Sequence, residues 1–189
     1  MRLVLATQNC HKLRELRTLL LSLHQYDMLS FANFPTYTPP TSEGTTQREQ
    51  AIHKATHAAK QLGLYALADD SRLCVPALQD QTLLECGDKA ARLALLRNLS
   101  ALDDVARSAY FTCALAFVSP EGHVLHTAQA LCEGVIATQE RGSGGFGYDS
   151  LFIKHGYHQT FGELHENVRM RISHRAKAIK SLLLHLDKS

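Results

Sequence analysis

The sequence predicts an α/β fold built on a mixed sheet, and two observations predict it. Apolar runs of strand length alternate with amphipathic helical stretches early in the chain. A long hairpin pattern, "SAYFTCALAFVS", "PEG", "HVLHTAQALCEGVIA", then intrudes in the middle.

In order, "RLVLA" reads as a short buried strand. After the polar turn "TQNCH", the stretch "KLRELRTLLLSL" sets Leu13, Leu16, Leu20 and Leu23 on one helical face. "DMLSFA" predicts a second strand, and Pro35, Pro39 and Pro40 mark a loop. "TTQREQAIHKATHAAKQLG" predicts a helix. Thr46 and Glu49 form a capping box, Ala51, Ile52, Ala55, Ala59 and Leu62 make a stripe, and Gly63 is the stop. "LYALA" predicts a strand whose end delivers Asp69 and Asp70, and "RLCVPAL" a further strand limited by Pro76. "GDKAARLALLRNL" is an amphipathic helix. The hairpin, a glycine-rich loop "RGSGGFGYDS" and a helix opening at "SHR" complete the chain. Neither a repeat nor a low-complexity linker divides it, so one domain over residues 1–189 is expected.

Composition excludes more than it identifies. Hydrophobic residues make up 45% and charged residues 20% of 189 residues, which is ordinary for a globular chain. A net charge of +2 predicts neither a nucleic-acid partner nor a membrane surface. No apolar run is long enough to span a bilayer, and "MRLVLATQN" lacks the apolar core of a signal peptide, so a cytoplasmic location is expected. Cys10, Cys74, Cys86, Cys113 and Cys132 form no CxxC pair and read as reduced, mostly buried thiols. His53 and His57, at i and i+4 on a helix, read as solvent-facing rather than as a metal pair.

Four stretches carry candidate chemistry. The turn "TQNCHK" joins a strand to a helix, where backbone N–H groups and the helix dipole favour an anion. Thr7 and Asn9 add hydrogen bonds and Lys12 a positive charge; a plain cap with a surface lysine is the alternative. Asp69 and Asp70 suit Mg²⁺, which prefers oxygen ligands and is often held by one or two carboxylates plus substrate phosphates. A turn cap beside a solvated acid would also explain such a pair. Gly144, Gly145 and Gly147 allow close backbone approach around Phe146, which could stack on a flat base, or they form only a flexible loop. Ser173 suits an N-cap, while His174 and Arg175 offer donors to a carbonyl or phosphate. There is no P-loop, no GxGxxG and no Ser-His-Asp order.

Taken together, "LATQNCHKLRELRTLL", "ALADDSRLCVPAL", "GSGGFGYDSLF" and "ISHRAKAIKSL" resemble, in order, the signature segments of the inosine/xanthosine triphosphate pyrophosphatases. "EQAIHKATHAAKQLGL" is a looser fifth match. The resemblance implies an elongated mixed central sheet with flanking helices and two lobes around a cleft. It implies Mg²⁺-dependent cleavage of non-standard purine nucleoside triphosphates to monophosphate and pyrophosphate, a house-cleaning role, and a homodimer. Carried over by position, Thr7, Gln8, Asn9, Cys10, His11 and Lys12 would contact the triphosphate. Asp70 would hold the metal and activate water, with Asp69 and Glu43 as further metal ligands. Ser71 would touch substrate. Phe146, Gly147, Tyr148 and Asp149 would form the base pocket, Arg169 would contact phosphate or base, and His174 and Arg175 would read the 6-oxo edge.

Some positions depart from that pattern. Arg72 stands where the family has Gly, Ser42 occupies the usual acid position with Glu43 one residue on, and Gln50 replaces Asn. The stretch from 79 to 89 is shortened. These departures keep two alternatives open: a Maf-like pyrimidine nucleotide pyrophosphatase, and a nucleotide-binding protein with reduced catalysis. The homodimer is expected to persist through the hairpin region around residues 110 to 131.

Overall fold

The structure, a computed structural model, describes residues 1–41, 44–78, 87–102 and 105–186, and the backbone of 82–84. Its elements are β1 (Arg2–Leu5), α1 (Cys10–Leu19), β2 (Asp27–Ser30), α2 (Gln47–Leu62), β3 (Tyr65–Cys74), β4 (Thr82–Leu84), α3 (Lys89–Leu99), β5 (Ser108–Val118), β6 (Val124–Ile136), β7 (Phe152–Lys154), α4 (Glu166–Ile172) and α5 (His174–Leu186). The strands form one mixed sheet in the order β2-β1-β3-β5-β6-β7, with β4 against β3. β1 runs parallel to β2 and β3, while β4 and β7 pair antiparallel to their neighbours. The α/β class and the mixed sheet read from the sequence are those of the structure.

The chain divides into two compact units: 1–70 with 113–130 and 175–189, and 71–112 with 131–174. In the first unit the two-residue period of the strands sorts side chains into two cores. Leu3 and Leu5 of β1, Leu67 of β3, and Cys113, Leu115 and Phe117 of β5 face Leu16 of α1, Leu20 at its C-cap, and Ala178, Ile179 and Leu182 of α5. Their neighbours Val4, Ala66, Ala68, Ala114, Ala116 and Val118 face Ala51, Ala55, Ala58 and Ala59 of α2. The small side chains on both sides let α2 approach the sheet closely. In the second unit Leu73, Leu95, Leu99, Phe111, Tyr148, Phe152 and Phe161 form a separate aromatic-rich core.

The local signals on α2 hold. Thr46 and Glu49 form the capping box, and Gly63 closes the helix at φ 62°. Other expectations are corrected. β3 does not end at the acids; it runs ten residues through Asp69 and Asp70 to Cys74, so "RLCVPAL" is its continuation, closed by a 3-10 turn at Pro76–Leu78. "DMLSFA" splits into β2 and a 3-10 turn, and α4 and β7 are additions. His53 and His57 are half-buried, and the His57 ring is bonded to the Tyr37 hydroxyl at 2.9 Å. Among the described cysteines Cys10 is exposed, Cys74 half-buried, Cys113 and Cys132 buried, and none is in a disulfide; Cys86 lies outside the described residues.

Because Ala55 is fully buried between α2 and the sheet, Ala55→Leu should overpack this layer. A loss of about 1–3 kcal/mol is expected, read as a lower urea midpoint at unchanged slope.

Candidate active site

The alternation of β3 decides the site. Asp69 and Asp70 are adjacent, so their side chains leave the strand on opposite faces. Asp69 points to the side covered by α1 and α5. Its side chain is fully buried, and its Oδ2 accepts from Lys12 Nζ at 3.0 Å and from Arg175 Nε at 3.2 Å. Arg175, only 1% exposed, donates its Nη1 to Glu15 Oε2. Asp70 points to the side covered by α2, where its Oδ1 accepts from Lys54 Nζ at 2.9 Å. Lys54 also donates to the Asp69 carbonyl at 2.9 Å, and Gln47 Nε2 to the Asp70 carbonyl at 3.3 Å. Each acid therefore has its own cationic partners, Lys12 and Arg175 for Asp69 and Lys54 for Asp70, supplied by different helix layers, and the repulsion between neighbours is offset on both faces.

Charge dominates this cluster. Burial alone would raise the Asp69 pKa, but Lys12, Arg175 and Lys54 override it and hold the carboxyl far below the usual range. Its six charged groups, Glu15, Asp69 and Asp70 against Lys12, Lys54 and Arg175, balance in sign.

The start of α1 stands beside it. Asn9 caps the helix: its Oδ1 accepts from the His11 and Lys12 N–H groups at 2.9 and 3.2 Å, and its own N–H donates to Thr7 Oγ1 at 3.1 Å. Thr7 and Asn9 thus shape the turn with their oxygens, and the Asn9 amide N–H₂ donates to nothing among the described residues. Gln8, Cys10 and His11 are exposed on this turn. The first helical turn carries no acid, so the N-terminal dipole stays open to an anion.

In the second unit, the glycine-rich loop folds on Asp149. Asp149 Oδ2 accepts from the Phe146 N–H at 3.0 Å and lies 3.9 Å from Arg169 Nε; Arg169 Nη1 donates to the Phe161 carbonyl at 3.3 Å. Gly145, at φ 72°, has no room for a Cβ because that atom would collide with the Asp149 carboxylate. Phe146 and Gly147 line a cavity of about 190 Å³ with Arg92, Glu140, Gly144 and Ser150. Beside it, Tyr148 packs into the core and Asp149 braces the loop. Arg169 is likewise buried against Asp149. His174 is buried with its ring stacked on Phe111 at 4.7 Å. Ser71 is buried on β3. Ser42, Glu43 and most of the shortened stretch lie outside the described residues.

Sequence reasoning missed Glu15, Gln47 and Lys54. Glu15 stands three residues after Lys12 on α1, a spacing that puts both on one face. Lys54 carried no comparable signal, because only the seating of α2 on the sheet brings it to Asp70.

The model of the Ham1 family matches residues 3–185. The chain belongs to the Ham1 family. Among its relatives, the dITP/XTP pyrophosphatase of Chlamydia caviae is 43% identical, with 99% of this chain and 95% of that protein covered. That of Chlamydia trachomatis serovar L2 is 41% identical over 96% of this chain and 91% of its own. Solved structures agree. A HAM1 protein from Coxiella burnetii superposes with a TM-score of 0.85 at 36% identity, covering all of both chains. A nucleoside-triphosphatase / dITP/XTP pyrophosphatase from Mycobacterium abscessus gives 0.74 at 34%, covering 98% of this chain and all of its own. The resemblance read from the four sequence segments is thereby established as family membership.

The depressed Asp69 pKa fixes a pH dependence. A carboxyl whose folded pKa lies below its unfolded value of about 3.9 contributes stability that is fully present above that unfolded value and is lost progressively as pH falls from there through the much lower folded pKa. Asp69→Asn leaves Lys12 and Arg175 without their shared anion and should cost about 3–5 kcal/mol at neutral pH. Urea unfolding at a series of acidic pH values should show a shallower loss of stability in the variant than in the parent.

Proposed function

We propose that this Ham1-family chain hydrolyses non-standard purine nucleoside triphosphates, such as dITP, ITP and XTP, to the monophosphate and pyrophosphate. The observation that carries the reading is Lys12, fixed by buried Asp69 at the acid-free start of α1, with Asp70 on the same short strand segment. The names of the chlamydial relatives supply the substrate class.

In this reading Lys12 and the N–H groups opening α1 bind the phosphates and offset the charge that grows on the departing pyrophosphate. Asp70 accepts the proton of the attacking water. That water forms a bond to the α-phosphorus, and the bridging P–O bond breaks with its electron pair left on pyrophosphate. Lys54 keeps the Asp70 carboxylate oriented through its 2.9 Å bond. Asp69 works differently: it holds Lys12 and Arg175 in place, so Arg175 serves the acid before it serves any base. The family resemblance, rather than the geometry, gives the base to Phe146 and Gly147 and the 6-oxo edge to His174.

Mg²⁺ fits the donor set. Its preference for carboxylate oxygen and substrate phosphates matches half-buried Asp70. We assign Asp70 as a ligand, with Asp69 and Glu43 as the further ligands that the family resemblance implies; Asp69 Oδ2 also carries two cations. Mg²⁺ when bound would supply further positive charge to the phosphates. Among the described residues no helix is long and apolar enough to cross a membrane, and we place the activity in the cytoplasm.

Pyrophosphate release should be measured with Mg²⁺ across ITP, XTP, dITP, ATP, GTP, dTTP and UTP. ITP, dITP and XTP should lead. An adenine 6-amino group would face a buried donor unpaired, so equal kcat/KM for ITP and ATP would sink the purine reading. Asp70→Asn should remove turnover by orders of magnitude while the protein stays folded, and EDTA should do the same reversibly.

We further propose a homodimer through the hairpin region around residues 110 to 131. Val124 and Leu125 of β6 are 45% and 42% exposed, which suits a partner surface. Sedimentation equilibrium should show a concentration-dependent dimer, and a strict monomer at high micromolar concentration would refute it.

A further inference from the structure

The second unit contains another cavity, of about 310 Å³, at the small end of small-molecule sites. Val135, Ile136 and Ile153 give it an apolar wall, and Arg107, Thr138 and Arg141 give it polar atoms. Arg107 is the unusual member. It is only 7% exposed, and its charge is met by neutral groups alone: Nε donates to the Ile136 carbonyl at 2.8 Å, Nη1 to Leu99 at 3.1 Å and Nη2 to Ala137 at 2.6 Å. Among the described residues no carboxylate pairs with it. A guanidinium has five N–H donors, so one on each Nη is not used in these bonds. Buried charges are ordinarily paired with an opposite charge, and among the described residues Arg107 has no such partner.

Beside it, Arg141 carries a second positive charge, itself paired with a carboxylate. Arg141 has its Nε 3.4 Å from Glu163, and its Nη2 donates to the His158 carbonyl at 3.0 Å. Thr138 and Gln139 are exposed, and their side chains bond nothing among the described residues. The cavity therefore joins donors and positive charge to an apolar wall. We propose that it binds a small organic oxyanion, a carboxylate or a phosphate monoester with an apolar body, and that Arg107 and Arg141 provide its charge partners. Arg141 opens the glycine-rich loop and closes it on itself: its N–H donates to the Ser150 carbonyl at the loop's other end at 2.9 Å, and its carbonyl accepts from Thr160 Oγ1 at 2.7 Å. An anion held there would steady the stem of that loop. The inference does not depend on the nucleotide reaction.

Phenyl phosphate and benzoate carry the two head groups on one apolar body and serve as probes. Calorimetric titration should be run on the full chain in the Lys12→Ala background, which removes the phosphate-binding lysine of α1. One site with a dissociation constant of about a millimolar is expected. It should weaken about tenfold in Arg141→Gln, which leaves the Arg107 bonds to the fold intact, and vanish in Thr138→Trp, where an exposed rim residue fills the cavity. The tighter probe names the head group, and equal affinity assigns the shared oxyanion. Absence of binding to either probe at about 10 mM, or binding that both variants leave unchanged, would overturn the proposal.

Discussion

The whole cluster depends on one geometric constraint: a strand turns neighbouring side chains to opposite faces. Asp69 and Asp70 look like a pair in the sequence, yet β3 separates them by the thickness of the sheet. That separation assigns each acid to a helix layer. The layer of α1 and α5 supplies Lys12 and Arg175 to Asp69, and α2 supplies Lys54 to Asp70. The acids then differ in environment, one fully buried between two cations and the other half-buried beside one. This division suits a fixed electrostatic post and a working carboxylate.

Burying Asp69 and Arg175 carries a desolvation cost that Coulomb attraction alone repays only with good geometry and full hydrogen bonding. The arrangement offsets that cost through a chain of contacts from Lys12 through Asp69 Oδ2 and Arg175 to Glu15. Losing one member leaves the next as an isolated charge, so the cluster behaves as a unit. Glu15 belongs to the site for that reason, although it is the member farthest along the chain of contacts from Lys12.

Much of this was legible in the sequence. Capping chemistry located α2 to within a residue, because Thr46, Glu49 and Gly63 act locally. The hairpin was legible because its two runs and its turn are contiguous. What failed was the end of β3. Two charges normally close an apolar run, and the cations that make the burial of Asp69 tolerable come from 57 and 106 residues away. α4 was missed because "ENVRMRI" is short and half charged, so its pattern is weak. Lys54 and Gln47 were hidden for a related reason: the seating of an alanine-faced helix on a sheet is a property of packing, which no window of sequence displays.

Both compact units are assembled from separated stretches of chain, and β3, β5 and β6 each pass from one to the other. During synthesis, therefore, neither unit can close when its first segment leaves the ribosome. Asp69 emerges with β3, but Arg175 follows 106 residues later on the last helix. Until then the acid has only its lysines, and the sheet lacks the Ala178, Ile179 and Leu182 that cover Leu3, Leu5 and Leu67. Long-range closure of this kind slows folding and prolongs exposure of apolar strands. The nascent chain would thus reach its native electrostatics only at termination, and a message truncated before α5 would yield a product for chaperones and proteases rather than a weakened enzyme.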